Sequence, residues 1–259
     1  MSDRTAWLWL LLALPLAVWG AEPPPAPAAQ FKGDFIYLRD YGTDDIGYLT
    51  LPDSPPQAGV VLVPDGHGVD AWMKTAADFV AQKGYIVLVL DLYNGNVTAD
   101  RRQVAHLEKE LEEKRALAAL QTATVFFQQS PRFKTEQVLL LGFGPQERCL
   151  LAFAAQKHHA ISGLAVINSL QAPAAELLKR ARYPVLFQLN HDSPAAADLE
   201  RRIQDTDSQE LLEVGTVARL VPGQRRLDDE QWRQIEAFMR KNFNAERRKS
   251  LLQRLRDIF

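Results

Sequence analysis

The chain has 259 residues, of which 47% are hydrophobic, 24% charged and 9% aromatic, which is ordinary globular composition and enough chain for one large α/β domain. Its 30 basic and 32 acidic residues give a net charge of −2, so the overall field favours neither nucleic acid nor an anionic membrane as a partner. Cys149 is the one cysteine, which excludes an internal disulfide, and no Cys/His spacing is typical of a zinc site.

Residues 1–20 have the pattern of a secretory signal peptide. A basic start at Arg4 precedes an apolar run over residues 6–18, and the small residues Val18 and Gly20 stand at the −3 and −1 positions of a cleavage site. The run is shorter than the ~20 residues that span a bilayer, and Pro15 interrupts it. We therefore predict cleavage after Gly20 and export to the periplasm or the medium, without a stable membrane anchor.

A Pro/Ala-rich linker over residues 21–30 precedes the predicted domain. Two short alternating runs, residues 34–38 and 46–51, flank a Gly/Asp turn and predict an antiparallel hairpin. Further along, continuous apolar runs such as residues 59–63 alternate with segments of helical periodicity, which predicts βαβ units. The expected fold of residues 31–243 is an α/β domain with a mostly parallel central sheet flanked by helices.

Helical periodicity covers residues 98–129 and 228–243. Within the first of these segments, residues 107–115 form a charged face that we expect to be solvated and without function. A shorter helix is expected over residues 173–182. Residues 244–259 add a basic, amphipathic C-terminal helix with an apolar stripe.

The segment 138–147 bears most directly on function. Four apolar residues, a glycine turn and Pro145 at the first helical position predict a buried strand, a sharp turn and a helix. This order resembles the nucleophile elbow of α/β-hydrolases, whose motif is G-x-S-x-G or G-x-C-x-G. Gly144 stands where the nucleophile would be, and we expect it to have the positive φ of an elbow residue.

Four segments resemble the dienelactone hydrolase family of α/β-hydrolases. The most specific is residues 83–95, where Gly-Tyr, an apolar strand, Asp-Leu-Tyr and Gly recur at the family's spacing. Residues 60–69 resemble the family's strand followed by His-Glu-x-x-Gly-Leu. Residues 184–187 with Asp192 are similar to the strand and loop that present the acid, and residues 220–226 to the turn that presents the base.

The resemblance covers residues 35–243 and implies an α/β-hydrolase fold that cleaves esters or lactones with a nucleophile, a histidine and an acid. Position by position, the family's nucleophile falls on Gly144, its acid on Asp192 and its histidine on Arg226 or a neighbour, and no histidine follows His191 in the sequence. The glutamate that follows the strand falls on Asp65, a shorter carboxylate. Of the triad, the chain retains only the acid.

These replacements remove three parts of acyl transfer. Gly144 has no side chain to attack a carbonyl, and Pro145 lacks the N–H that the oxyanion hole takes from the residue after the nucleophile. Arg226 is permanently protonated and cannot act as a base near neutral pH. We therefore predict that hydrolysis by the usual triad mechanism is lost.

Polar residues follow two predicted strands. Asp65 and His67 follow one, and His191 and Asp192 follow another; the ends of parallel strands share one rim, where ligands bind. These groups form a candidate acid/base pair or a candidate divalent metal site. In the simpler interpretation, the carboxylates fix loops through backbone N–H groups and the histidines are exposed. We expect no metal and no cofactor.

The other reactive side chains are given structural roles. Cys149 lies about a turn into the predicted helix and is expected to be a small buried hydrophobe. Ser169 has no partner histidine in view, His158 and His159 sit at a helix end, and His106 is expected at the surface.

Three functions remain open. The first is a catalytically silent protein that binds a small anionic or ester-like ligand, or a partner, in the old pocket, where the helix after Pro145 offers a positive end to an anion. Its expected lining is Asp65, Gly66, His67, Gly68, Phe143, Gly144, Asp192 and Arg226. The second is a carboxylic-ester or lactone hydrolase with a rearranged site around Asp65, His67, His191 and Asp192. The third is an interaction module that uses the C-terminal helix.

Overall fold

The computed structural model describes residues 31–133, 135, 137–156, 160–168, 175–190, 194–207, 209–217 and 227–256. The predicted signal peptide and the Pro/Ala linker therefore lie outside the described residues. Among the residues described, no helix is long and apolar enough to cross a bilayer.

In this part of the chain, the strands form one sheet in the order β1-β2-β4-β3-β5-β6-β7-β8. They are β1 (Asp34–Tyr37), β2 (Ile46–Thr50), β3 (Gly59–Val63), β4 (Ile86–Leu90), β5 (Val138–Phe143), β6 (Ile161–Ile167), β7 (Val185–Asn190) and β8 (Leu212–Val217). The first two strands pair antiparallel with each other, and β2 pairs antiparallel with β4. The remaining pairs are parallel. The predicted mostly parallel sheet with an antiparallel N-terminal hairpin is confirmed.

Helices cover both faces of this sheet because its central strands are apolar on both sides. They are α1 (Ala71–Gln82), α2 (Arg101–Glu110), α3 (Glu113–Gln129), α4 (Glu147–Ala154), α5 (Ala175–Lys179), α6 (Pro194–Gln204) and α7 (Asp229–Arg256). Val61 and Leu140 face a core that includes α3 and α4. Val60 and Leu139, one residue away on their strands, face a second core that includes α1 and α7. Because both faces of the sheet are buried, the positions of the strand ends are fixed. These ends form the edge of the sheet that we call the rim.

Two helical segments differ from their predicted extents. The segment expected to be mainly helical over residues 98–129 is divided, because Leu111 and Glu112 have extended backbones with ψ angles of 108° and 128°. No Gly or Pro marks this break, and Leu111 packs against the core there. The helix expected over residues 173–182 is observed as the shorter helix α5, which ends at Lys179.

The C-terminal helix is longer than the sequence pattern indicates. Residues 228–243 and the tail were expected as separate helices, but α7 continues without a break to Arg256. Ile235, Phe238 and Phe243 bury its apolar face against the sheet. Residues 257–259 lie outside the described part of the chain.

Candidate functional site

The turn after β5 has the geometry of an elbow. Gly144 has a φ of +66°, a left-handed conformation that glycine adopts without the steric strain of a Cβ. The expected positive φ is therefore confirmed. The helix does not begin as an α-helix at Pro145, however: Gly144–Gln146 form a 3-10 turn, and α4 begins at Glu147. Pro145 fits this first turn because its missing N–H would have no partner there.

Asp65 lies next to the position where a nucleophile would be. A Cβ built on Gly144 would be 3.1 Å from the Asp65 Cβ and 3.9 Å from Asp65 Oδ2, the nearest described atoms. The sheet explains this contact, because Val63 of β3 pairs with Gly142 of β5. Asp65 and Gly144 each come two residues after these paired positions. The expected meeting of Asp65 and His67 with His191 and Asp192 stays a prediction, because the latter two lie outside the described residues.

The Asp65 carboxylate also orders its own loop. Asp65 Oδ1 accepts a hydrogen bond of 3.2 Å from the His67 N–H, and the Asp65 carbonyl accepts one of 3.0 Å from the Gly68 N–H. The simpler interpretation, in which this carboxylate fixes the loop, is therefore confirmed for Asp65. These bonds fold residues 65–68 into a tight turn.

His67 forms a close pair with Asp65. Its Nδ1 atom is buried and lies 3.1 Å from Asp65 Oδ1, without the alignment of a hydrogen bond and with no other hydrogen-bond partner in the described chain. The His67 side chain is only 20% exposed, so the expectation of an exposed histidine is wrong at this position. The structure thus pairs the His67 imidazole with the carboxylate that lies beside Gly144.

The expectation that Gly66 and Gly68 leave room for a ligand is wrong. A Cβ on Gly66 would lie 2.6 Å from the Val104 carbonyl oxygen, and the Gly66 N–H donates to Glu108 Oε1 at 3.0 Å. Gly68 has a φ of +73°, and a Cβ there would overlap the Asn96 carbonyl. Both glycines are needed because other backbone segments approach them closely.

Phe143 is a core residue. Its side chain is 2% exposed and packs edge-to-face on Trp72, with 5.1 Å between the ring centroids. The ring therefore anchors the end of β5 to α1 and does not offer a surface to a ligand, which corrects its expected role.

Sequence reasoning missed three residues that support the elbow and the neighbouring loop, namely Tyr93, Gln146 and Glu108. The Tyr93 hydroxyl is buried and accepts a 2.9 Å hydrogen bond from Gln146 Nε2. Burial raises the pKa of Tyr93, and the carboxylates of Glu108 and Asp65 raise it further, so the phenol stays neutral. The Asp-Leu-Tyr block was a signal for Tyr93. No sequence signal pointed to Glu108, because it belongs to the charged face of residues 107–115 that we expected to be solvated and without function. That expectation is wrong for Glu108, which accepts a hydrogen bond from the Gly66 N–H.

The other described candidates agree with their structural roles. Cys149 was expected to be buried; it is partly buried and packs against the core, and burial, with Glu113 nearby, raises the pKa of its thiol. Its neutral thiol is a poor nucleophile at neutral pH. His106 is exposed on α2, as expected.

The remaining candidates lie outside the described residues: His191, Asp192, Arg226, Ser169, His158 and His159. Their roles as acid, base or ligand contacts stay predictions. Within the ranges that the structure describes, no three His, Cys, Asp or Glu side chains are grouped so that they could hold a metal ion.

The comparison with known proteins agrees with the residues that suggested a family. The model of the dienelactone hydrolase family matches residues 46–210, which is more than half of the chain. A Bradyrhizobium protein named "Probable 2-oxo-3-(5-oxofuran-2-ylidene)propanoate lactonase" is 20% identical over 114 residues. That match covers 42% of this chain and 46% of the relative, so the chain aligns with less than half of the relative's length.

Solved structures show the same fold. A dienelactone hydrolase from Anabaena variabilis has a TM-score of 0.61 at 14% identity and covers 83% of this chain and 98% of its own. A dienelactone hydrolase-like promiscuous phosphotriesterase from metagenomic libraries has a TM-score of 0.60 at 19% identity, covering 82% and 97%. At these identities the likeness shows the α/β-hydrolase fold alone. With the family match over residues 46–210, it follows that this chain belongs to the dienelactone hydrolase family.

Proposed function

We propose that this protein is a non-catalytic member of its family that binds a small ligand at the elbow. The observation that carries the proposal is the left-handed Gly144 beside Asp65, followed by Pro145. A side chain in that conformation costs roughly 1–3 kcal/mol, a strain that hydrolases tolerate because it presents the nucleophile. Here the turn is unstrained and carries no reactive atom.

Acyl-enzyme formation lacks its starting groups in this elbow. Catalysis of acyl transfer depends on an activated nucleophile and on N–H donors that stabilise the oxyanion. Gly144 supplies no nucleophile, and Pro145 supplies no N–H. Cys149, the one thiol in the sequence, has a raised pKa and packs against the core. A ligand bound at this turn would therefore meet no nucleophile and would form no acyl adduct.

We propose an ester-like ligand, such as a lactone, in preference to an anion. The Asp65 carboxylate beside Gly144 disfavours a negative group there. Glu147 in the first turn of α4 adds a second negative charge near the end of that helix that would attract an anion. An anionic ligand would depend on Arg226, which lies outside the described residues.

A combined labelling and binding experiment tests the proposal. The protein is incubated with a fluorophosphonate and with a panel of p-nitrophenyl esters and lactones. Intact mass reports adducts, absorbance reports turnover, and saturation-transfer NMR reports binding. We expect binding of at least one ester or lactone, no adduct, and no turnover above buffer. The matched Gly144→Ser variant supplies a hydroxyl but not the oxyanion N–H that Pro145 lacks, so it should also be inactive. A covalent acyl adduct on wild-type protein would contradict the proposal.

A second candidate function is favoured by one observation, the 3.1 Å approach of His67 Nδ1 to Asp65 Oδ1. A carboxylate–imidazole pair can activate a water as a general base without a covalent intermediate. This would make the protein an ester or lactone hydrolase with a rearranged site. Turnover without an adduct, lost in both Asp65→Asn and His67→Gln, would identify this alternative.

Export is part of the proposal and is supported by the sequence of residues 1–20. Expression in a Gram-negative host, followed by fractionation and N-terminal sequencing, tests it. Mature protein that begins at Ala21 in the periplasm is the expected result, and full-length protein retained in the cytoplasm would contradict it.

A further inference from the structure

We propose that this protein has a second binding site, for a free α-amino acid with an apolar side chain, in the cavity beside the break between α2 and α3. The cavity has a volume of about 380 Å³, which is at the small end of the range for small-molecule sites. It is lined by the loop after β4, the end of α2, the break itself and the first turn of α3. Gly144 is not among its lining residues, so this proposal goes beyond the function proposed for the elbow and does not depend on it.

Arg115 gives the cavity a cation that is held in place. Its Nη2 donates a 2.7 Å hydrogen bond to Asn94 Oδ1 and lies 3.6 Å from Asp45 Oδ1. Both contacts engage the same nitrogen, whereas a guanidinium carries five N–H donors in a rigid fork. Such a fork matches the geometry of a carboxylate. The carboxylate of the ligand therefore binds at Arg115.

The loop after β4 fixes the partner of this arginine. Asn94 has a φ of +56°, a left-handed conformation that is uncommon for a residue with a Cβ. The buried Asp91 carboxylate holds the loop, because it accepts hydrogen bonds from the N–H groups of Tyr93 and Gly95. Arg115 is thus oriented before a ligand binds, which lowers the entropic cost of binding.

Two carboxylates line the same cavity, those of Glu110 and Glu112. Neither side chain forms an ion pair or a hydrogen bond within the part of the chain that the structure describes. Arg115 pairs with Asp45 and not with either of them. A ligand with a carboxylate alone would add a third negative charge, and an ammonium on the ligand offsets the two that are present. The cavity therefore selects a zwitterion.

The break between the helices makes this arrangement possible. Leu111 and Glu112 have extended backbones, although both residue types are good helix formers. In a continuous α-helix, Glu110 and Glu112 would point to nearly opposite sides. Because the helix is interrupted here, both carboxylates line one cavity.

The remaining wall is apolar. Leu92 is buried, and Leu107 and Leu111 pack partly buried against the same core. All three line the cavity, so an aliphatic side chain on the ligand loses its contact with water there. A carboxylate, an ammonium and a small apolar side chain on one molecule describe an α-amino acid such as leucine.

Four ligands that differ by one group test the proposal. L-leucine is compared with 4-methylpentanoate, which lacks the ammonium, with 3-methylbutylamine, which lacks the carboxylate, and with glycine, which lacks the side chain. Each is titrated into the full chain at pH 7 and followed by saturation-transfer NMR. We expect L-leucine to bind about tenfold more tightly than 3-methylbutylamine and about fivefold more tightly than 4-methylpentanoate, because exposed carboxylates contribute less. Glycine should bind at least about tenfold more weakly than L-leucine.

Variants locate the effect. Arg115→Gln should weaken L-leucine about tenfold and leave 3-methylbutylamine nearly unchanged. Glu112→Gln should weaken both L-leucine and 3-methylbutylamine and should not weaken 4-methylpentanoate. The exposed controls Arg180→Gln and Glu200→Gln, which lie outside the cavity, should change none of the affinities. Because Glu112 is exposed, its variant keeps the test decisive if Arg115→Gln, which also loses the Asn94 contact, fails to fold.

Three results would overturn the proposal. They are the absence of L-leucine binding at millimolar concentration, binding of 3-methylbutylamine or 4-methylpentanoate as tight as that of L-leucine, and full L-leucine affinity in Glu112→Gln. None of these results bears on whether an ester or lactone binds at Gly144, so the function proposed for the elbow stands or fails separately.

Discussion

At the scale of single residues, the glycines of the rim differ in what their missing side chains would meet. Gly95 has a φ of +76° and open space around it, Gly144 is near Asp65, and Gly68 faces the Asn96 carbonyl. The three glycines therefore share a left-handed backbone conformation but differ in how closely other atoms approach the position of a Cβ. This makes the three positions a matched series for separating strain from steric overlap.

We predict that Gly95→Ala and Gly144→Ala each lower the free energy of unfolding by about 1–3 kcal/mol, because both force a Cβ into a left-handed conformation. Gly68→Ala should cost more, since its Cβ also overlaps a backbone carbonyl that cannot move freely. Urea denaturation followed by circular dichroism measures the three values. Equal losses for Gly68→Ala and Gly95→Ala would show that the Asn96 contact is unimportant.

Tyr93 gives a second residue-scale prediction. Tyr93→Phe removes the acceptor of the Gln146 amide, and leaving a buried polar group without a partner costs about 1–3 kcal/mol. Tyr37→Phe is the matched control, because Tyr37 is 63% exposed and should change stability by less than about 0.5 kcal/mol. Both values come from urea denaturation, and similar losses for the two variants would count against a structural role for this hydrogen bond.

Cys149 provides a pH-dependent prediction. Burial, aided by Glu113, raises the pKa of its thiol in the folded protein above that of the unfolded chain. The folded state then binds more protons at alkaline pH, so this thiol's contribution to stability is present below the unfolded pKa and is lost as pH rises through the folded pKa. Iodoacetamide should label folded protein at a higher pH than urea-unfolded protein, which is followed by mass spectrometry. Identical pH profiles would contradict the raised pKa.

At the scale of elements, the start of α7 is tied to the end of β6. The Gln231 N–H donates to Asp228 Oδ1 at 2.8 Å and the Asp228 N–H donates to Gln231 Oε1 at 3.1 Å, a reciprocal capping box. Gln231 Nε2 also donates to Asn168 Oδ1 at 2.8 Å. The Gln231 carbonyl accepts from Gln188 of β7. One side chain therefore joins a helix cap to the rim of the sheet.

We predict that Asp228→Ala costs about 0.5–2 kcal/mol, the usual loss of an N-cap. Gln231→Ala should cost more, because it removes half of the same cap and also leaves Asn168 Oδ1 without this donor. Thermal and urea denaturation of the two single variants provide the comparison. If Gln231→Ala were the milder change, the link to β6 would contribute little.

At the scale of the whole molecule, an ion pair joins two helices that are distant in sequence. Lys83 Nζ at the end of α1 lies 3.2 Å from Glu236 Oε2 on α7, and Arg240 also pairs with Glu236. Burial alone would raise the pKa of Glu236, but its hydrogen bonds and charge interactions with Lys83 and Arg240 outweigh that effect and lower it. The pair holds together two helices on the same face of the sheet.

The sign of the pH dependence follows from the lowered pKa. The contribution of Glu236 is present above its unfolded pKa and is lost as pH falls through its folded pKa. We predict that Glu236→Gln lowers stability at pH 7 by about 1 kcal/mol or less, as expected for a partly exposed ion pair. The melting temperatures of variant and wild type should converge as the pH falls below the pKa of Glu236 in the folded protein. A constant difference across the pH range would contradict this assignment.

The sequence by itself determined the features that depend on neighbours along the chain. Continuous apolar runs such as Gly59–Val63 predicted strands buried on both faces, because that pattern leaves no solvent-exposed side. Gly144 followed by Pro145 predicted a left-handed turn without a nucleophile, because both properties belong to the residue types themselves.

Only the tertiary structure decided which distant groups occupy the space around that turn. The register of β3 against β5 places Asp65 beside Gly144, and the packing of α2 brings Glu108 to the Gly66 N–H. It also fills the spaces beside Gly66 and Gly68 with other backbone, so these residues leave no room for a ligand. Such contacts join residues tens of positions apart, and they depend on how faces pack and not on local periodicity.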